Sequence, residues 1–176
     1  MEIRELGRSE LRRVGEIDRT ERIDVLYDQR GTELVARRGD WSAPPWHPDG
    51  DGPHSVAEQV RAVEHYADMG GTSLGAFAGG RLIGIGVVVP HLRPGIAQLA
   101  FLHVSAGWRA TGVGSRLADR LEQIARTAGD DEMVVTATPS ENTVRFYLAR
   151  GFQLMEEPLP ELFELEPEDA HLCTPL

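Results

Sequence analysis

The sequence predicts an α/β protein built on one mixed sheet of six to seven strands, with helices on both faces. Three observations support this fold class. Residues 2–6 have the pattern of a short strand, and 72–78 and 81–89 form a predicted hairpin around a Gly-Gly turn. The apolar strand 96–104 then leads through a glycine-rich turn into an amphipathic helix. Strands and helices that alternate in this way favour a layered α/β sheet.

The N-terminal half contains three predicted helices. Residues 9–17 follow a serine N-cap and place apolar side chains at helical spacing, and the spacing over 23–27 predicts a second helix. Residues 32–37 have weak strand character. The capping box at 55–58 predicts a third helix, which ends at a Gly-Gly pair.

The segment 39–54 is predicted to be a loop because proline and glycine are dense in it. Trp41 and Trp46 are unusual in such a loop, since an exposed indole leaves much apolar area in water. They are expected either to fold back onto the core as a plug or to line an acceptor pocket. The loop also carries two histidines and two aspartates, but their spacing is not that of a metal site, and no metal is predicted: His47, Asp49, Asp51 and His54.

The C-terminal half continues the sheet. Residues 133–137 predict a short buried strand, and a helix follows over 140–150. Residues 152–155 and 162–165 are predicted as closing strands joined by the connector 156–160. The closing strands and the tail after 162 are also a candidate homodimer contact.

Composition excludes several classes of protein. The chain has 176 residues and a net charge of −10, and its 18 basic residues are all arginine. An acidic balance disfavours a nucleic-acid binder and mildly favours a cationic substrate. The chain contains no run of 18 apolar residues, so no membrane span is predicted. The single cysteine, Cys173, cannot form an internal disulfide, which fits a cytoplasmic protein.

An anion-binding turn is predicted where the strand 96–104 gives way to the next helix. Arg109, Gly112 and Gly114 follow one another in the order Arg-x-x-Gly-x-Gly. The first N–H groups of a helix have no helical acceptor and carry partial positive charge, and glycine lets a phosphate approach the backbone. Arg109 adds a fixed positive charge. The turn therefore predicts a pyrophosphate site formed by Arg109, Ala110, Thr111, Gly112, Val113, Gly114 and Ser115.

Other phosphate-binding motifs are excluded by their missing residues. A P-loop requires a Gly-Lys-Ser/Thr ending, and the chain contains no lysine. The dinucleotide-binding fingerprint requires Gly-x-Gly-x-x-Gly directly after a strand, whereas here the preceding strand ends five residues before Arg109.

A second motif lies about thirty residues further on. The segment 139–152 contains Asn142, then the pair Phe146-Tyr147, then Gly151-Phe152. Helix capping and packing explain the serine before Asn142 and the glycine, but not a tyrosine next to the buried phenylalanine. Together the two motifs resemble the GNAT superfamily of acetyl-CoA-dependent N-acetyltransferases, over about residues 72–152.

The resemblance implies a fold, a co-substrate and a domain plan. It implies the GNAT-like acyl-CoA N-acyltransferase fold as one domain over 1–176, with acetyl-CoA as co-substrate. The segment 31–54 is then a loop insertion on the acceptor side.

The resemblance also implies roles for residues of both motifs. The strand at Leu102, His103 and Val104 is expected to part from its neighbour at a bulge and to contact the coenzyme, with the Val104 backbone N–H facing the thioester oxygen. Asn142 is expected to bind the pantetheine arm, although it precedes Tyr147 by five residues where many relatives have seven. Tyr147 is expected to be the general acid that protonates the departing thiolate.

The sequence does not identify the general base. Some relatives carry a glutamate where this chain has Gln98, and glutamine does not accept a proton usefully. His103 and His91 titrate in a suitable range when unperturbed. Water can also relay the proton, or the amine can arrive neutral.

The sequence therefore predicts transfer of the acetyl group of acetyl-CoA to a primary amine of a small molecule, by direct attack in a ternary complex. The alternatives are acetylation of protein N-termini or lysines, and a non-catalytic sensor that binds acyl-CoA.

Overall fold

The computed structural model describes all residues, 1–176, and contains a seven-stranded mixed sheet and a separate two-stranded hairpin. The sheet has the strand order β1-β4-β5-β6-β7-β9-β8, and the hairpin consists of β2 and β3. The strands are β1 (Glu2–Glu5), β2 (Glu21–Arg30), β3 (Glu33–Ala43), β4 (Thr72–Ala78), β5 (Arg81–Arg93), β6 (Ile96–Val104), β7 (Glu132–Ala137), β8 (Gln153–Leu154) and β9 (Ala170–Pro175). The helices are α1 (Val56–Asp68), α2 (Val113–Ala128), α3 (Glu141–Ala149) and α4 (Pro160–Leu165), with 3₁₀ segments at Arg8–Glu16 and Ala106–Trp108.

The sheet is mixed because one neighbouring pair of strands is parallel. β6 pairs with β7 in parallel, and every other pair in the sheet is antiparallel. The predicted α/β class, the mixed sheet and its six to seven strands are confirmed.

Two apolar clusters cover the two faces of the sheet. One contains α2 and α3 packed on the central strands, and the other contains the first 3₁₀ segment and α1. Glycine in β5 allows α2 to lie close to the sheet. A methyl group at Gly84 would stand 2.9 Å from Cγ1 of Val113 and 3.0 Å from Cδ1 of Leu117, so any side chain there would push the helix away.

The second predicted helix, over 23–27, is wrong, because these residues belong to β2. Gly31 has φ of +59° and turns the chain back into β3, and the two strands pair from Glu21 to Ala43. Three apolar residues fit helical and strand periods about equally well, and the partner strand decides between them. The weak strand over 32–37 is confirmed, and it continues to Ala43. The loop predicted over 31–54 therefore begins only after Ala43.

Two other elements differ from their predictions. The helix predicted over 9–17 is a 3₁₀ segment over Arg8–Glu16 that buries Leu11 and Val14. The strand predicted over 162–165 is the helix α4, with a proline in its first turn, and the closing strand of the sheet is β9.

The β6–β7 pair parts after a short common stretch. Pairing covers only Ile96 to Gln98 on β6, and the rest of β6 has no partner on that side. The register between β5 and β6 also shifts by one residue at Ala100, which is a β-bulge. The parting of the strands and the bulge match the expectation for this strand, and they create the cleft described next.

Candidate active site

The cleft lies between the residues 99–104 of β6 and the C-terminal end of β7. Its β6 wall presents unpaired backbone groups. Ser105 N–H donates to the carbonyl of Ile83 at 2.9 Å, so the pair Gly84–Val104 is of the type that exchanges no hydrogen bonds. The N–H groups of Val104, and of Leu102 two residues before it, therefore point away from β5 and towards the cleft.

The turn after β6 presents a second set of free N–H groups. Gly112 is the N-cap of α2 with φ of +86°, and no side chain caps the helix. The first helix-spanning bond at this end is from Arg116 N–H to the carbonyl of Gly112, at 3.1 Å. The N–H groups of 110–115 donate to no other part of the chain. They form a concave row of donors at a helix N-terminus, which is the arrangement that binds phosphate.

The Arg109 side chain faces the other way. Its guanidinium donates to the carbonyls of Thr20 at 2.8 Å, Arg19 at 2.9 Å and Val104 at 3.2 Å. These bonds tie the turn to the segment before β2. The guanidinium of Arg109, whose positive charge was predicted to bind phosphate, instead donates its hydrogen bonds to backbone carbonyls. The free hydrogen-bond donors of the turn are backbone N–H groups.

Tyr147 projects from α3 into the core. It is 4% exposed, and its ring packs edge-on against Phe146 at 5.1 Å and Phe152 at 5.3 Å between ring centroids. Burial raises the pKa of its hydroxyl well above the ordinary value, and the nearby Arg150 charge opposes this only in part. The hydroxyl accordingly keeps its proton throughout the neutral range, and the same shift makes it a weaker acid than an exposed tyrosine.

Family comparison agrees with this geometry. The model of the acetyltransferase (GNAT) family matches residues 37–152, which is about two thirds of the chain. This chain belongs to the GNAT acetyltransferase family. It is an acetyl-CoA-dependent acetyltransferase, with acetyl-CoA as its co-substrate. No curated protein sequence matches the chain.

Solved structures share the GNAT fold along nearly the whole chain. Nourseothricin acetyltransferase has a TM-score of 0.74 at 17% identity, covering 99% of this chain and 97% of its own. Aminoglycoside 6'-acetyltransferase type Ii has a TM-score of 0.65 at 18% identity, with 99% and 97% covered. The PaiA N-acetyltransferase of Thermoplasma acidophilum, in complex with coenzyme A, has a TM-score of 0.63 at 17% identity, with 99% and 98% covered.

Asn142 lies in the first turn of α3 and is exposed. Its amide donates to a carboxylate oxygen of Glu21 at 2.9 Å, and the other oxygen of Glu21 lies 4.0 Å from Arg109. Glu21 therefore connects α3 with Arg109 and the turn before α2. Sequence reasoning missed Glu21, because the residue was assigned to the connection before a helix that does not form.

His103 lies on β6 with its ring on the opposite face from α2. The ring contacts Trp46 at 5.2 Å and Phe101 at 4.6 Å between centroids. Burial lowers its pKa to about 4, with smaller contributions from the charges of Arg19 and Arg109. His103 is therefore neutral at pH 7 and a weak base.

Trp46 folds back onto the core, which is one of the two arrangements expected for the tryptophans. It is 6% exposed and belongs to the cluster beneath α1. Trp41 instead lies on β3 opposite Ile23, with its ring over Gly39.

The other candidate bases are separated from the cleft or lack a basic group. Gln98 is buried at the last position where β6 pairs with β7. His91 follows Val89, which pairs with Gln98, so it lies at the end of β6 remote from Val104. Its ring contacts the buried carboxylate of Asp130 at 2.8 Å. No group of three or more His, Cys, Asp or Glu side chains is placed to hold a metal ion.

Proposed function

We propose that this acetyltransferase moves the acetyl group of acetyl-CoA to a primary amine of a small molecule, by direct attack of the amine in a ternary complex. The observation that carries the proposal is the pair of free N–H rows, on β6 at Leu102 and Val104 and in the turn 110–115. One row is suited to a thioester with its pantetheine arm and the other to a pyrophosphate, and the two rows adjoin, since a methyl group at Gly114 would stand 3.6 Å from Cγ2 of Val104.

Different groups of residues bind the coenzyme and stabilise the intermediate. The N–H groups of 110–115 bind the pyrophosphate, and the segment of β6 containing Leu102 and His103 contacts the pantetheine arm. The Val104 N–H stabilises the oxygen of the tetrahedral intermediate, a kind of contact worth about 3 kcal/mol in other enzymes. Asn142 exchanges its bond with Glu21 for one to the pantetheine arm.

Tyr147 serves as the general acid. As the amine nitrogen bonds to the carbonyl carbon and the C–S bond breaks, the Tyr147 hydroxyl gives its proton to the departing thiolate. The amine loses its own proton to water or binds unprotonated, since β6 carries Gln98 rather than a carboxylate.

A small acceptor is supported by what surrounds the cleft. The β2–β3 hairpin lies against the start of α3, with the Tyr27 N–H donating to the carbonyl of Pro139 at 2.8 Å. It takes up part of the segment expected on the acceptor side, and an acceptor side covered by a hairpin suits a small ligand better than a protein segment. Among the similar structures, nourseothricin acetyltransferase and the aminoglycoside 6'-acetyltransferase are named for small-molecule amines.

The first test is release of free thiol from acetyl-CoA in the presence of a panel of amines. The wild-type chain is expected to give amine-dependent release, and Tyr147→Phe is expected to reduce kcat at least about tenfold while acetyl-CoA still stabilises the protein against heat. Tyr66→Phe, which removes the hydroxyl of a partly buried tyrosine on α1, is the matched control and is expected to keep full activity.

Three outcomes would contradict the proposal or one of its parts. Thermal stabilisation by acetyl-CoA without release for any small amine would leave the sensor alternative, and release only with peptides would favour protein acetylation. Equal kcat in Tyr147→Phe and Tyr66→Phe would remove Tyr147 from the mechanism.

Location and assembly remain predictions. None of the helices has both the length and the apolar character that crossing a bilayer requires. The cytoplasmic location predicted from Cys173 is tested by fractionation of cells that make the protein. The homodimer contact after 162 is tested by sedimentation of the purified chain.

A further inference from the structure

Arg150 joins the helix that carries Tyr147 to the helix that begins at the turn 110–115. It is the C-cap residue of α3, and its backbone N–H donates to the Tyr147 carbonyl at 3.0 Å. Its side chain is 14% exposed and reaches across to α2. The helix with the candidate acid and the helix with the free N–H groups are therefore connected through one side chain.

The guanidinium of Arg150 makes three contacts with α2. Nη2 donates to Glu122 at 2.5 Å and to Asp119 at 2.7 Å, and Nη1 makes a longer bond to the carbonyl of Ser115 at 3.4 Å. The Glu122 carboxylate is 13% exposed, so this ion pair is largely withdrawn from water. The ion pairs and side-chain hydrogen bonds between 141–150 and α2 all come from Arg150.

The two helices also touch at the turn itself. A methyl group at Gly114 would stand 3.5 Å from Cε2 of Phe146, and the guanidinium of Arg150 lies 5.8 Å from the centre of the same ring. The Phe146 ring in turn packs edge-on against Tyr147. Gly114, Phe146 and Arg150 thus form one continuous set of contacts next to Tyr147.

α2 is the better anchored of the two helices. Val113 and Leu117 in its first turns are buried against the sheet, and Arg109 ties the turn before it to the segment before β2. α3 has nine residues, and two of them are buried. Apolar contact is non-directional, whereas a planar guanidinium that bonds two carboxylates sets both distance and orientation. Loss of the Arg150 bonds would therefore shift α3 rather than the turn.

We propose that Arg150 is a positioning residue for the reaction: its bonds to Asp119 and Glu122 hold α3 where the Tyr147 hydroxyl reaches the departing thiolate. The inference rests on the proposed function, since it assigns the residue that places the general acid. A partly buried ion pair whose Nε lacks a partner adds little net stability, because desolvation offsets the attraction. What the pair contributes here is one defined arrangement of the two helices.

The charge of Arg150 also acts on Tyr147 directly. Burial raises the pKa of the Tyr147 hydroxyl, and the positive charge of Arg150 opposes that shift. A cation near a phenol favours the phenolate that remains after proton transfer. Removal of the charge is therefore expected to make Tyr147 a weaker acid in addition to moving it.

The test compares Arg150→Met in two backgrounds, the wild-type chain and Tyr147→Phe. Methionine keeps much of the apolar stem of arginine and removes the charge and the hydrogen bonds. Arg145→Met is the matched control, because Arg145 lies on the same helix, is 70% exposed and pairs with Glu141 rather than with α2. The measurements are kcat for thiol release, KM for acetyl-CoA, and Kd for CoA by calorimetric titration.

Arg150→Met is expected to lose about tenfold in kcat, while KM for acetyl-CoA and Kd for CoA change by less than about twofold. In the Tyr147→Phe background the same substitution is expected to change kcat by less than about twofold, because the group that Arg150 places is already absent. Arg145→Met is expected to keep the kcat of its parent chain in both backgrounds.

A milder variant keeps the test decisive if Arg150→Met does not fold, as judged by circular dichroism. Arg150→Lys keeps the charge and one carboxylate bond but loses the planar fork. It is expected to lose about threefold in kcat, again only when Tyr147 is present.

The inference is overturned if the folded Arg150 variants keep wild-type kcat, or if kcat falls by the same factor in both backgrounds. A loss seen mainly in Kd for CoA would also overturn it, because Arg150 would then serve the turn and not Tyr147. Failure of the proposed function gives a different result. Wild-type kcat in Tyr147→Phe would contradict the proposed general acid and this inference with it, and absence of thiol release from the wild-type chain would contradict the proposed function as a whole.

Discussion

At the scale of single residues, the site depends more on the backbone than on side chains. The free N–H groups of Val104 and Gly112 exist because of strand pairing and helix geometry, whatever the side chains are. Arg109, the most obvious charged residue of the motif, uses its guanidinium to hold the turn in place. A charge in a binding motif therefore does not by itself contact the ligand.

Residues of the candidate site were predictable where a motif contains them. They were not predictable where contacts between distant segments bring them together. Spacing predicted the glycine turn before α2 and the helix that carries Tyr147. The bond between Glu21 and Asn142 joins residues 121 positions apart, and no local pattern indicates it. The low pKa of His103 is a second example, because it is caused mainly by burial. Trp46 contributes to this burial, and it is a loop residue whose place in the core is seen only in the folded chain.

Asp169 is expected to make stability depend on pH. Its pKa in the folded chain is raised to about 7 from the ordinary 3.8, so the folded state keeps a proton that the unfolded state loses. Stability is therefore lost as pH rises from about 4 to about 7. Asp169→Asn is expected to be more stable than wild type by roughly 2 kcal/mol at pH 8, discounted for partial exposure, and equal to it at pH 4.

Urea denaturation of both chains at pH 4 and pH 8 measures this difference. The charged groups around Asp169 are Asp28, Glu156, Glu166 and Glu168, with His171 beside them, and all are shared by the two proteins. Equal stability of the two chains at both pH values would show that the Asp169 carboxyl is not penalised by burial.

At the scale of elements, long periodic segments were predicted well and short apolar ones were not. β6 and α2 have sustained patterns, which predict a strand over 96–104 and a helix over 112–128, and the structure matches both within a residue. Residues 23–27 and 162–165 were assigned the wrong type, since a few apolar residues satisfy either period. In both cases long-range pairing decided, as β3 pairs with β2 and β9 takes the place beside β7.

The close packing of α2 on β5 links stability to coenzyme binding. Gly84→Ala would place a methyl group against Val113 and Leu117 in the first turns of α2, and both are fully packed. The variant is expected to lose about 1–3 kcal/mol of stability. Because the displaced turn carries the N–H groups proposed to bind the pyrophosphate, KM for acetyl-CoA is also expected to rise.

Thermal denaturation and initial-rate kinetics measure the two effects together. Gly107→Ala is the matched control, since its added methyl group would meet nothing within 4 Å. Loss of stability in Gly84→Ala with an unchanged KM would show that the turn is held independently of α2 packing.

At the scale of the whole molecule, the sheet and the hairpin carry two surfaces of different charge. The parting of β6 and β7 opens a cleft lined by backbone donors, which suit an anionic coenzyme. The β2–β3 hairpin and the turn into β9 enclose a separate acidic cavity at the other end of β2. Fold class followed from the order of elements, whereas this division of charge arises only when segments far apart in sequence meet.

The central claim is that the coenzyme lies in the cleft between β6 and β7, with its pyrophosphate on the turn 110–115. A crystal structure of the chain with bound CoA tests it most directly. The account predicts pyrophosphate oxygens within hydrogen-bonding distance of the N–H groups of 110–115, and the pantetheine arm alongside Leu102 and Val104 with its sulfur near the Tyr147 hydroxyl. CoA bound elsewhere, or a sulfur remote from both Val104 and Tyr147, would contradict it.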